Sequence, residues 1–295
     1  MKLARILAAA AIVASCAEKS PEVNWNISYP EGPTDTADGG TVKVMSFNVR
    51  YENGSDGANS WSARAHGVYV MINEERPLIM GTQECKWSQR TGILGNCSAY
   101  GAIGVCRDDG NEGSSSETVS IFYLKDSITI EKWGTYWLSD TPDKPSKGWD
   151  GACYRCATWA ICRVVSSGKR FFCTNTHIDH QGSKAQSNGL ALIEEKMSEL
   201  NPERLPAVLT ADFNMASDNI ALSGINTSMR NARKTSQMTD NLGTYHGFSS
   251  SSGSIIDHIY YSGFNTSIEF KTLTGSWDGV TYISDHYPIY AILRF

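Results

Sequence analysis

Polar side chains that could do chemistry occur in six short clusters along this chain. The last, Ser284-Asp285-His286, is followed by Tyr287, Pro288 and an apolar run that ends at Leu293. An acid and an imidazole in a loop next to a strand are placed as catalytic residues often are, because the strand gives the loop a rigid support. The other clusters lie beside or inside apolar, strand-like segments: Phe47-Asn48, Thr82-Gln83-Glu84, Asn175 to His180, Ala211 to Asn214, and Ile256-Asp257-His258-Ile259. Because the placement recurs, the sequence predicts one site.

Three of the clusters supply oxygen ligands, which are Asn48, Glu84 and Asp285. A hard divalent cation such as Mg²⁺ takes oxygen ligands of this kind while it keeps several waters. Two imidazoles, His177 and His286, are the groups that a hydrolase needs beside a developing negative charge. The chemistry predicted is metal-assisted hydrolysis.

Three more polar side chains extend the predicted site. Asp212 can orient or activate a water molecule, and Asn214 can hydrogen-bond an oxyanion. Asp257 lies inside an apolar strand, where an acid is costly unless it has a partner, and His286 is the natural candidate. For any one of these residues, a helix cap or a satisfied surface group is the commoner role. Their recurrence at strand ends favours catalysis.

Two other hydrolytic sites are disfavoured. The run Thr176 to His180 is similar to part of the zinc signature His-x-His-x-Asp-His, but Asn175 stands where the first His is required. A Gly-x-Ser-x-Gly elbow for a serine nucleophile does not occur in the sequence.

Alternating and helical apolar patterns predict the elements that position these residues. Roughly ten strands with helices inserted singly or in pairs indicate two packed sheets covered by helices. The predicted helices are Trp61–Glu75 and Lys184–Leu200. The predicted strands are Thr41–Asn48, Leu78–Thr82, Ala99–Val105, Thr118–Leu124, Ala157–Val165, Arg170–His177, Leu205–Thr210, Ile255–Tyr261, Thr266–Thr272 and Tyr287–Leu293.

The net charge of this 295-residue chain is −5, from 26 basic and 31 acidic side chains. Broad electrostatic binding to nucleic acid is therefore not favoured, although a local basic groove is compatible with the composition. The loop regions 107 to 116, 139 to 153 and 233 to 254 are expected to surround the site and select the substrate.

The first sixteen residues predict an export signal of the lipoprotein type. Lys2 and Arg5 precede the apolar core Ile6 to Val13, and the small residues that follow end at Cys16, the predicted lipidation site. A plain signal peptide is the alternative. Residues 17 to 40 suit a flexible tether, so we expect an exported protein on the periplasmic face or cell surface that meets the membrane through its lipid only.

Seven cysteines remain after Cys16, which leaves an odd thiol. If Ser166 to Lys169 forms the turn of a hairpin, Cys162 lies directly opposite Cys173, and we expect these two to form a disulfide.

The clusters together resemble the endonuclease/exonuclease/phosphatase superfamily over residues 41 to 295, which we take as one domain. The resemblance is carried by Ser46 to Arg50, Gly81 to Glu84, Asn175 to His177, Ala211 to Asn214, Ile256 to Ile259 and Ser284 to Pro288. It implies an α/β fold, a four-layer α/β/β/α sandwich of two mixed sheets with outer helices. It also implies Mg²⁺ or Mn²⁺ and hydrolysis of a phosphate ester.

The resemblance also suggests a role for each residue. Asn48, Glu84 and Asp285 would surround the metal, and Asp212 with Asn214 would handle the water and the phosphoryl oxygens. His177 and His286 would contact the phosphate or act as acid and base. Asp257 would steady His286, and Glu117 would steady His177. Arg155 resembles a phosphate-binding arginine, and Arg107 adds positive charge for the substrate.

We therefore expect a monomeric phosphodiesterase, most similar to a nuclease. A phosphomonoesterase or a sphingomyelinase-like phospholipase on the same site is the alternative. An inactive ligand-binding surface lipoprotein is the competing reading from another class.

Overall fold

A computed structural model describes residues 40–250 and 253–295 of the chain. The described residues contain two six-stranded mixed sheets, a two-stranded sheet and five α-helices. The predicted signal peptide, Cys16 and most of the predicted tether lie outside these residues. None of the described helices is long and apolar enough to cross a membrane.

The strands are β1 (Thr41–Asn48), β2 (Ile79–Gln83), β3 (Cys85–Lys86), β4 (Tyr100–Ile103), β5 (Glu117–Thr118), β6 (Ile121–Leu124), β7 (Ile128–Trp137), β8 (Cys156–Val164), β9 (Arg170–His177), β10 (Ala207–Asp212), β11 (Arg230–Asn231), β12 (Asp257–Ser262), β13 (Thr266–Thr272) and β14 (Ile289–Arg294). The strands of the first large sheet lie in the order β13-β14-β1-β2-β6-β4, and those of the second in the order β11-β12-β10-β9-β8-β7. The helices are α1 (Trp61–Glu75), α2 (Trp87–Asn96), α3 (Ser183–Leu200), α4 (Ser223–Ser228) and α5 (Ala232–Thr235).

The two large sheets form the centre of a four-layer α/β/β/α sandwich, which confirms the predicted fold. Helix α3 buries Leu190 and Ile193 in one apolar cluster with Trp159 and Phe172 of the second sheet. Helix α1 contributes Val68 and other apolar side chains to the core of the first sheet. Strands that are covered on both faces have nearly continuous apolar sequences. Strands β2 and β10 are of this kind, because every one of their residues is buried.

A buried polar contact sets how the sheets face each other. Asn175 on β9 donates through Nδ2 to the carbonyl of Thr82 on β2 at 2.8 Å, and its Oδ1 accepts from Gln83 at 2.7 Å. A Cβ added at Gly81 would overlap the side chains of Asn175 and Thr210, so this close approach requires glycine. Asn175 therefore holds the two sheets together, and it does not face a metal as a zinc ligand would.

The register of the central strands brings the predicted site residues to one edge. Strands β1 and β2 run parallel, with Asn48 opposite Gln83. Strands β9 and β10 also run parallel, and Asp212 lies opposite both His177 and Asp257 on its two neighbours. Since the carboxyl ends of parallel strands meet at the same edge, the pattern explains why the predicted clusters converge.

The predicted hairpin register and disulfide are wrong. Strands β8 and β9 pair Cys162 with Phe171, and Cys173 lies opposite Ala160. The turn is closed by a hydrogen bond from Val164 N to the carbonyl of Lys169, with Gly168 in the left-handed conformation, which shifts the pairing by two residues. Cys162 and Cys173 are free thiols whose sulfur atoms lie 3.4 Å apart on a diagonal of the sheet.

Candidate active site

The strand-end clusters surround one open cleft of about 540 Å³. This volume lies within the ~300–1,000 Å³ that small-molecule sites typically span. The side chains that line it come from β5, β9, β10 and the surrounding loops: Arg50, Tyr51, Glu84, Arg107, Glu117, Cys153, Arg155, His177, His180, Asp212, Asn214, Tyr245, Ile256, Asp285 and His286. A second cavity of about 450 Å³ beside α3 and α4 contains no residue of the six clusters among the side chains described for it. The chemistry belongs to the first cleft.

Asn48 is fully buried and links the two sheets next to the cleft-lining Glu84 and Asp212. Its Nδ2 donates to Glu84 Oε1 at 3.2 Å and to Asp212 Oδ2 at 2.9 Å. Its Oδ1 accepts from the backbone N–H of Arg50 at 3.0 Å. Glu84 has a φ of +57°, an uncommon conformation for a residue other than glycine. Such strain clusters at functional sites, and here it occurs at the carboxylate that follows β2.

The carboxylates of Glu84 and Asp285 converge on a common positive charge. Glu84 Oε2 lies 4.0 Å from Arg50 Nη1, and Asp285 Oδ2 lies 3.8 Å from Arg50 Nε. Arg50 itself is held by Asp56, whose two oxygens accept from its guanidinium at 3.0 and 3.1 Å. Burial, together with the nearby charge of Glu84, raises the pKa of Asp285 although His286 opposes this.

These observations fit a hard divalent cation. Glu84 and Asp285 already share the cation of Arg50 at ion-pair distance, and the charge of Glu84 adds to the effect of burial on the pKa of Asp285. A metal ion between the two carboxylates would stabilise both. Asn48 Oδ1 is the third oxygen of this group, and it retains a lone pair beside its bond to Arg50. Asn48, Glu84 and Asp285 therefore suit the ligand set predicted from the sequence.

His286 and Asp257 form a buried ion pair, which confirms the predicted partnership. His286 Nδ1 lies 2.8 Å from Asp257 Oδ2, and its Nε2 lies 3.8 Å from Asp212 Oδ2. Burial opposes the charge, but the attraction of Asp257 and Asp212 prevails and raises the pKa of His286 to about 10. The three side chains also lie close enough to hold a metal. Because His286 Nδ1 already contacts Asp257 and all three are buried, the group suits proton handling better.

Asp212 lies between the two histidines. Its Oδ2 is 3.4 Å from His177 Nε2, and its Oδ1 accepts from the backbone N–H of Asn214 at 2.8 Å. Burial and the charge of Asp257 raise the pKa of Asp212 to about 7. A carboxylate with this pKa can accept a proton from water near neutral pH.

His177 is the uncharged imidazole of the site. Burial and the charges of Arg155 and Arg107 hold the pKa of His177 well below its usual range. Its Nε2 is 3.0 Å from Asn214 Nδ2, which also donates to the carbonyl of Ile178 at 2.9 Å. Of these two histidines, His286 is therefore cationic and His177 is neutral. Their charges differ because only His286 has a carboxylate partner at Nδ1.

Glu117 lines the cleft but has a different partner from the one predicted. Its two oxygens accept from Arg107 Nη1 and Nη2 at 2.7 and 3.0 Å. His177 Nδ1, where Glu117 was expected, is buried without a hydrogen-bond partner in the described part of the chain. Burial raises the pKa of Glu117, and a two-pronged guanidinium contact compensates a buried carboxylate better than a neutral imidazole does. Arg107 therefore reaches the cleft as part of an ion pair.

Arg155 is only 6% exposed and still lines the cleft. Its Nη2 contacts His180 Nδ1 at 3.1 Å, and its Nε lies 3.6 Å from Asp179 Oδ2. Within residues 40–250 and 253–295, Arg155 Nη1 has no hydrogen-bond partner. A buried guanidinium with an unused N–H donor is suited to an anionic ligand.

Asp179 holds the end of the loop 139–153 against β9. Its Oδ2 accepts from the backbone N–H of Ala152 and Cys153 at 2.9 and 3.2 Å, and its Oδ1 accepts from Gln181 and Gly182 at 3.0 and 2.9 Å. Cys153, Asp179 and His180 lie close enough to share a metal. Because the Asp179 oxygens are already occupied and Arg155 lies beside them, this corner favours an anion over a cation.

Sequence reasoning missed several residues that line the cleft, among them Arg50, Tyr51, Cys153 and Tyr245. His180 was noticed only as part of a broken zinc pattern. Arg50 carried a usable signal because it lies two residues after Asn48, at the end of the Ser46 to Arg50 motif. Tyr245 and Cys153 reach the cleft from loops, where periodicity gives no direction to a side chain.

A sequence model of the endonuclease/exonuclease/phosphatase family matches residues 45–286, which include every strand-end cluster described above. The chain belongs to the endonuclease/exonuclease/phosphatase family. Its members among solved structures include a family protein from Bacteroides thetaiotaomicron, 32% identical with a TM-score of 0.81 over 86% of this chain and 97% of that one. A family protein from Bacteroides vulgatus is 33% identical, with a TM-score of 0.80 over 86% and 99% of the two chains.

A third similar structure is the mannosyl-6-phosphatase of Bacteroides thetaiotaomicron VPI-5482. It is 32% identical, with a TM-score of 0.80 over 86% of this chain and 100% of that one. Comparison with curated proteins gives no match. Family membership makes the chain a hydrolase acting on phosphate esters.

Proposed function

We propose that this chain is a divalent-metal-dependent phosphomonoesterase that releases phosphate from a phosphorylated small molecule. The observation that carries the proposal is Arg155, a buried guanidinium that lines the same cleft as Glu84 and Asp285 and has an N–H donor available to a ligand. A monoester phosphate carries up to two negative charges near neutral pH, so it gains more from a buried arginine and a metal than a singly charged diester does. The 32% identity to a mannosyl-6-phosphatase supports the same class of substrate.

Each residue of the cleft has a defined part in this reaction. Asn48, Glu84 and Asp285 would hold Mg²⁺ or Mn²⁺, which when bound polarises a phosphoryl oxygen. Arg155 binds the phosphate and orients it. The carboxylate of Asp212 accepts a proton from the attacking water.

The histidines and Asn214 act on the phosphoryl and leaving oxygens. His286, kept cationic by Asp257, donates a hydrogen bond from Nε2 to the charge that develops at the phosphorus or on the leaving oxygen. Asn214 and His177 lie on the other side of Asp212, where they position a phosphoryl oxygen. The strand register fixes the positions of His177, Asp212 and Asp257 before substrate arrives.

Phosphodiester hydrolysis, as in a nuclease, is the second candidate. It is favoured by the positive charge around Tyr51, whose ring lies 4.6 Å from the Arg50 guanidinium carbon and 5.5 Å from Lys86 Nζ. An aromatic ring between two cations suits a base with a neighbouring phosphate. The acidic net charge of −5 is less favourable to a long polyanion.

The proposal extends to location. The charged start, the apolar core and the small residues before Cys16 support export followed by lipid attachment at that cysteine. The protein would then act as a monomer on the periplasmic face or the cell surface and contact the membrane through its lipid only.

A substrate panel tests the reaction. The protein with Mg²⁺ is given mannose 6-phosphate, plasmid DNA, RNA, sphingomyelin and bis-p-nitrophenyl phosphate. Release of inorganic phosphate from the monoester at a higher kcat/KM than cleavage of any diester is expected. Preferred cleavage of a diester would replace the proposal with the second candidate.

A further inference from the structure

Tyr245 is an exposed aromatic residue inside a mostly charged cleft. Seven large apolar side chains are exposed in the described residues, and Tyr245, at 41% exposure, is the one of them that lines the cleft. Its ring centroid lies 4.9 Å from that of His286, with the planes inclined by 56°. The ring therefore stands beside the imidazole that faces the reacting phosphate.

The backbone around Tyr245 is fixed on two sides. Tyr245 and Ser254 exchange two backbone hydrogen bonds of 2.9 Å each. The next two residues, His246 and Gly247, both donate to the carbonyl of Asp285 at 2.9 and 3.1 Å, and Tyr287 N donates to the carbonyl of Thr244 at 2.7 Å. The segment is thus bonded to the loop that carries Asp285 and His286.

Thr244 strengthens this attachment. Its buried Oγ1 accepts from the backbone N–H of Ile256 and Asp257 at 3.1 Å each. Asp257 is the partner of His286, so the position of Tyr245 is tied to both members of the catalytic ion pair. A ring held in this way loses little conformational entropy when it contacts a ligand.

The other aromatic residue of the cleft is differently placed. The ring of Tyr51 is already in contact with the cations of Arg50 and Lys86. Tyr245 instead offers exposed ring surface next to His286, where the alcohol part of a phosphate ester would lie. An exposed aromatic face recognises a ring that has an apolar face of its own.

We propose that Tyr245 forms a stacking subsite for the leaving group and makes the enzyme prefer phosphate esters of ring-containing alcohols. The inference rests on the proposed phosphoesterase function and specifies its substrate. A hexopyranose and a nucleoside both present such a ring, and the experiment separates them. Ile256, also in the cleft lining, adds apolar surface to the cleft.

The experiment compares kcat/KM of the full chain with Mg²⁺ on mannose 6-phosphate, adenosine monophosphate and the acyclic ester glycerol 3-phosphate. Stacking on an aromatic side chain is worth roughly a tenfold to hundredfold effect by alanine substitution. We expect Tyr245→Ala to lower the ratio of ring-ester to glycerol-ester kcat/KM by about tenfold, and Tyr245→Phe to preserve the ratio. Leu242→Ala, at an exposed residue of the same loop outside the cleft lining, is the matched control and should not change it.

The ring ester that the wild-type chain prefers identifies the leaving group as a sugar or a nucleoside. A ratio that is unchanged in Tyr245→Ala would overturn the subsite. Binding of the same three esters, measured by titration calorimetry with EDTA present, gives a second readout that does not need turnover. If no phosphate is released from any ester but the binding ratio still falls in Tyr245→Ala, the proposed function fails and the subsite stands. An equal binding ratio in both chains would reject the subsite by itself.

Discussion

His286 and Asp257 are joined by a 2.8 Å contact between Nδ1 and a carboxylate oxygen, and both residues are at most 4% exposed. The contact helps to keep a buried imidazole charged, because burial opposes the charge but the attraction of Asp257, together with that of Asp212, outweighs it and raises the pKa of His286 to about 10. It also brings together the cluster around Asp257, at the start of β12, and the cluster around His286, in the loop between β13 and β14. The charge state of the active site depends on this pair.

Replacing Asp257 by Asn should therefore change the pH profile as well as the rate. Without the carboxylate, burial lowers the pKa of His286, so the imidazolium is lost near neutral pH. We expect kcat at pH 7 to fall by about 10²-fold or more. The activity of the wild-type chain that depends on the imidazolium should persist until the pH approaches 10.

The exposed pair of His66 and Asp278, 2.5 Å apart, supplies a matched control. Asp278→Asn should leave the profile unchanged. The His286 charge also contributes to the free energy of unfolding. Because the pKa of His286 is raised in the folded chain, this contribution is full below the unfolded value near 6.5 and is lost as the pH rises through about 10. Equal pH profiles for wild type and Asp257→Asn would contradict the assigned charge of His286.

Asp179 should matter for stability because its carboxylate accepts four backbone hydrogen bonds. Asp179→Ala leaves those N–H groups unpaired, and we expect the free energy of unfolding to fall by about 1–3 kcal/mol. Asp218→Ala, at an exposed position, is the control. Urea titration followed by circular dichroism measures both, and equal midpoints would show that the loop is held by other contacts.

Asp179 also predicts an acid-sensitive contribution. Burial acts against its charge, but the backbone hydrogen bonds prevail and lower the pKa of Asp179 to about 2. The stabilisation is present above the unfolded value near 3.9 and is lost as the pH falls through about 2. The difference in unfolding free energy between wild type and Asp179→Ala should therefore shrink across that interval.

Arg155 is expected to bind the phosphate. Arg155→Lys keeps the charge but loses the planar fork, and KM for the phosphate ester should rise by about tenfold or more. Arg204→Lys, outside the cleft, should not change KM. Steady-state kinetics on mannose 6-phosphate decides this, and an unchanged KM in Arg155→Lys would remove Arg155 from the substrate site.

Lipid attachment has its own test. Labelled fatty acid should appear on the wild-type chain expressed with its first sixteen residues and disappear in Cys16→Ala. Cys153→Ala is the control because that cysteine is not at the signal sequence. Equal labelling of wild type and Cys16→Ala would exclude lipid attachment at Cys16.

Much of the site could be predicted from the sequence because its side chains stand at the ends of strongly apolar strands. Asn48, Glu84, His177 and Asp212 follow from that placement, since parallel neighbours deliver their last residues to one edge. The sequence did not reveal β7, whose central residues are exposed and which carries a bulge between Ile130 and Lys132. An edge strand of this kind has no clear alternation of apolar and polar residues.

A helix and several loop contacts also could not be predicted from the sequence. Helix α2 was not predicted, because Gly92 and Gly95 interrupt its apolar pattern. The Glu117–Arg107 pair depends on how the loop 107–116 returns to β5, which neither propensity nor periodicity determines. The same is true of the hairpin register, where one glycine in the turn decided the pairing of Cys162.

Phosphate release from mannose 6-phosphate, measured with and without divalent metal, tests the account most directly. The wild-type chain should release phosphate with Mg²⁺ or Mn²⁺, lose this activity in excess EDTA and recover it when metal is restored. Glu84→Ala should lower kcat by about 10²-fold or more at an unchanged melting temperature, whereas Glu195→Ala, at an exposed residue of α3, should retain full activity. Undiminished phosphate release in excess EDTA, or full activity of Glu84→Ala, would contradict a metal site built on Glu84 and Asp285.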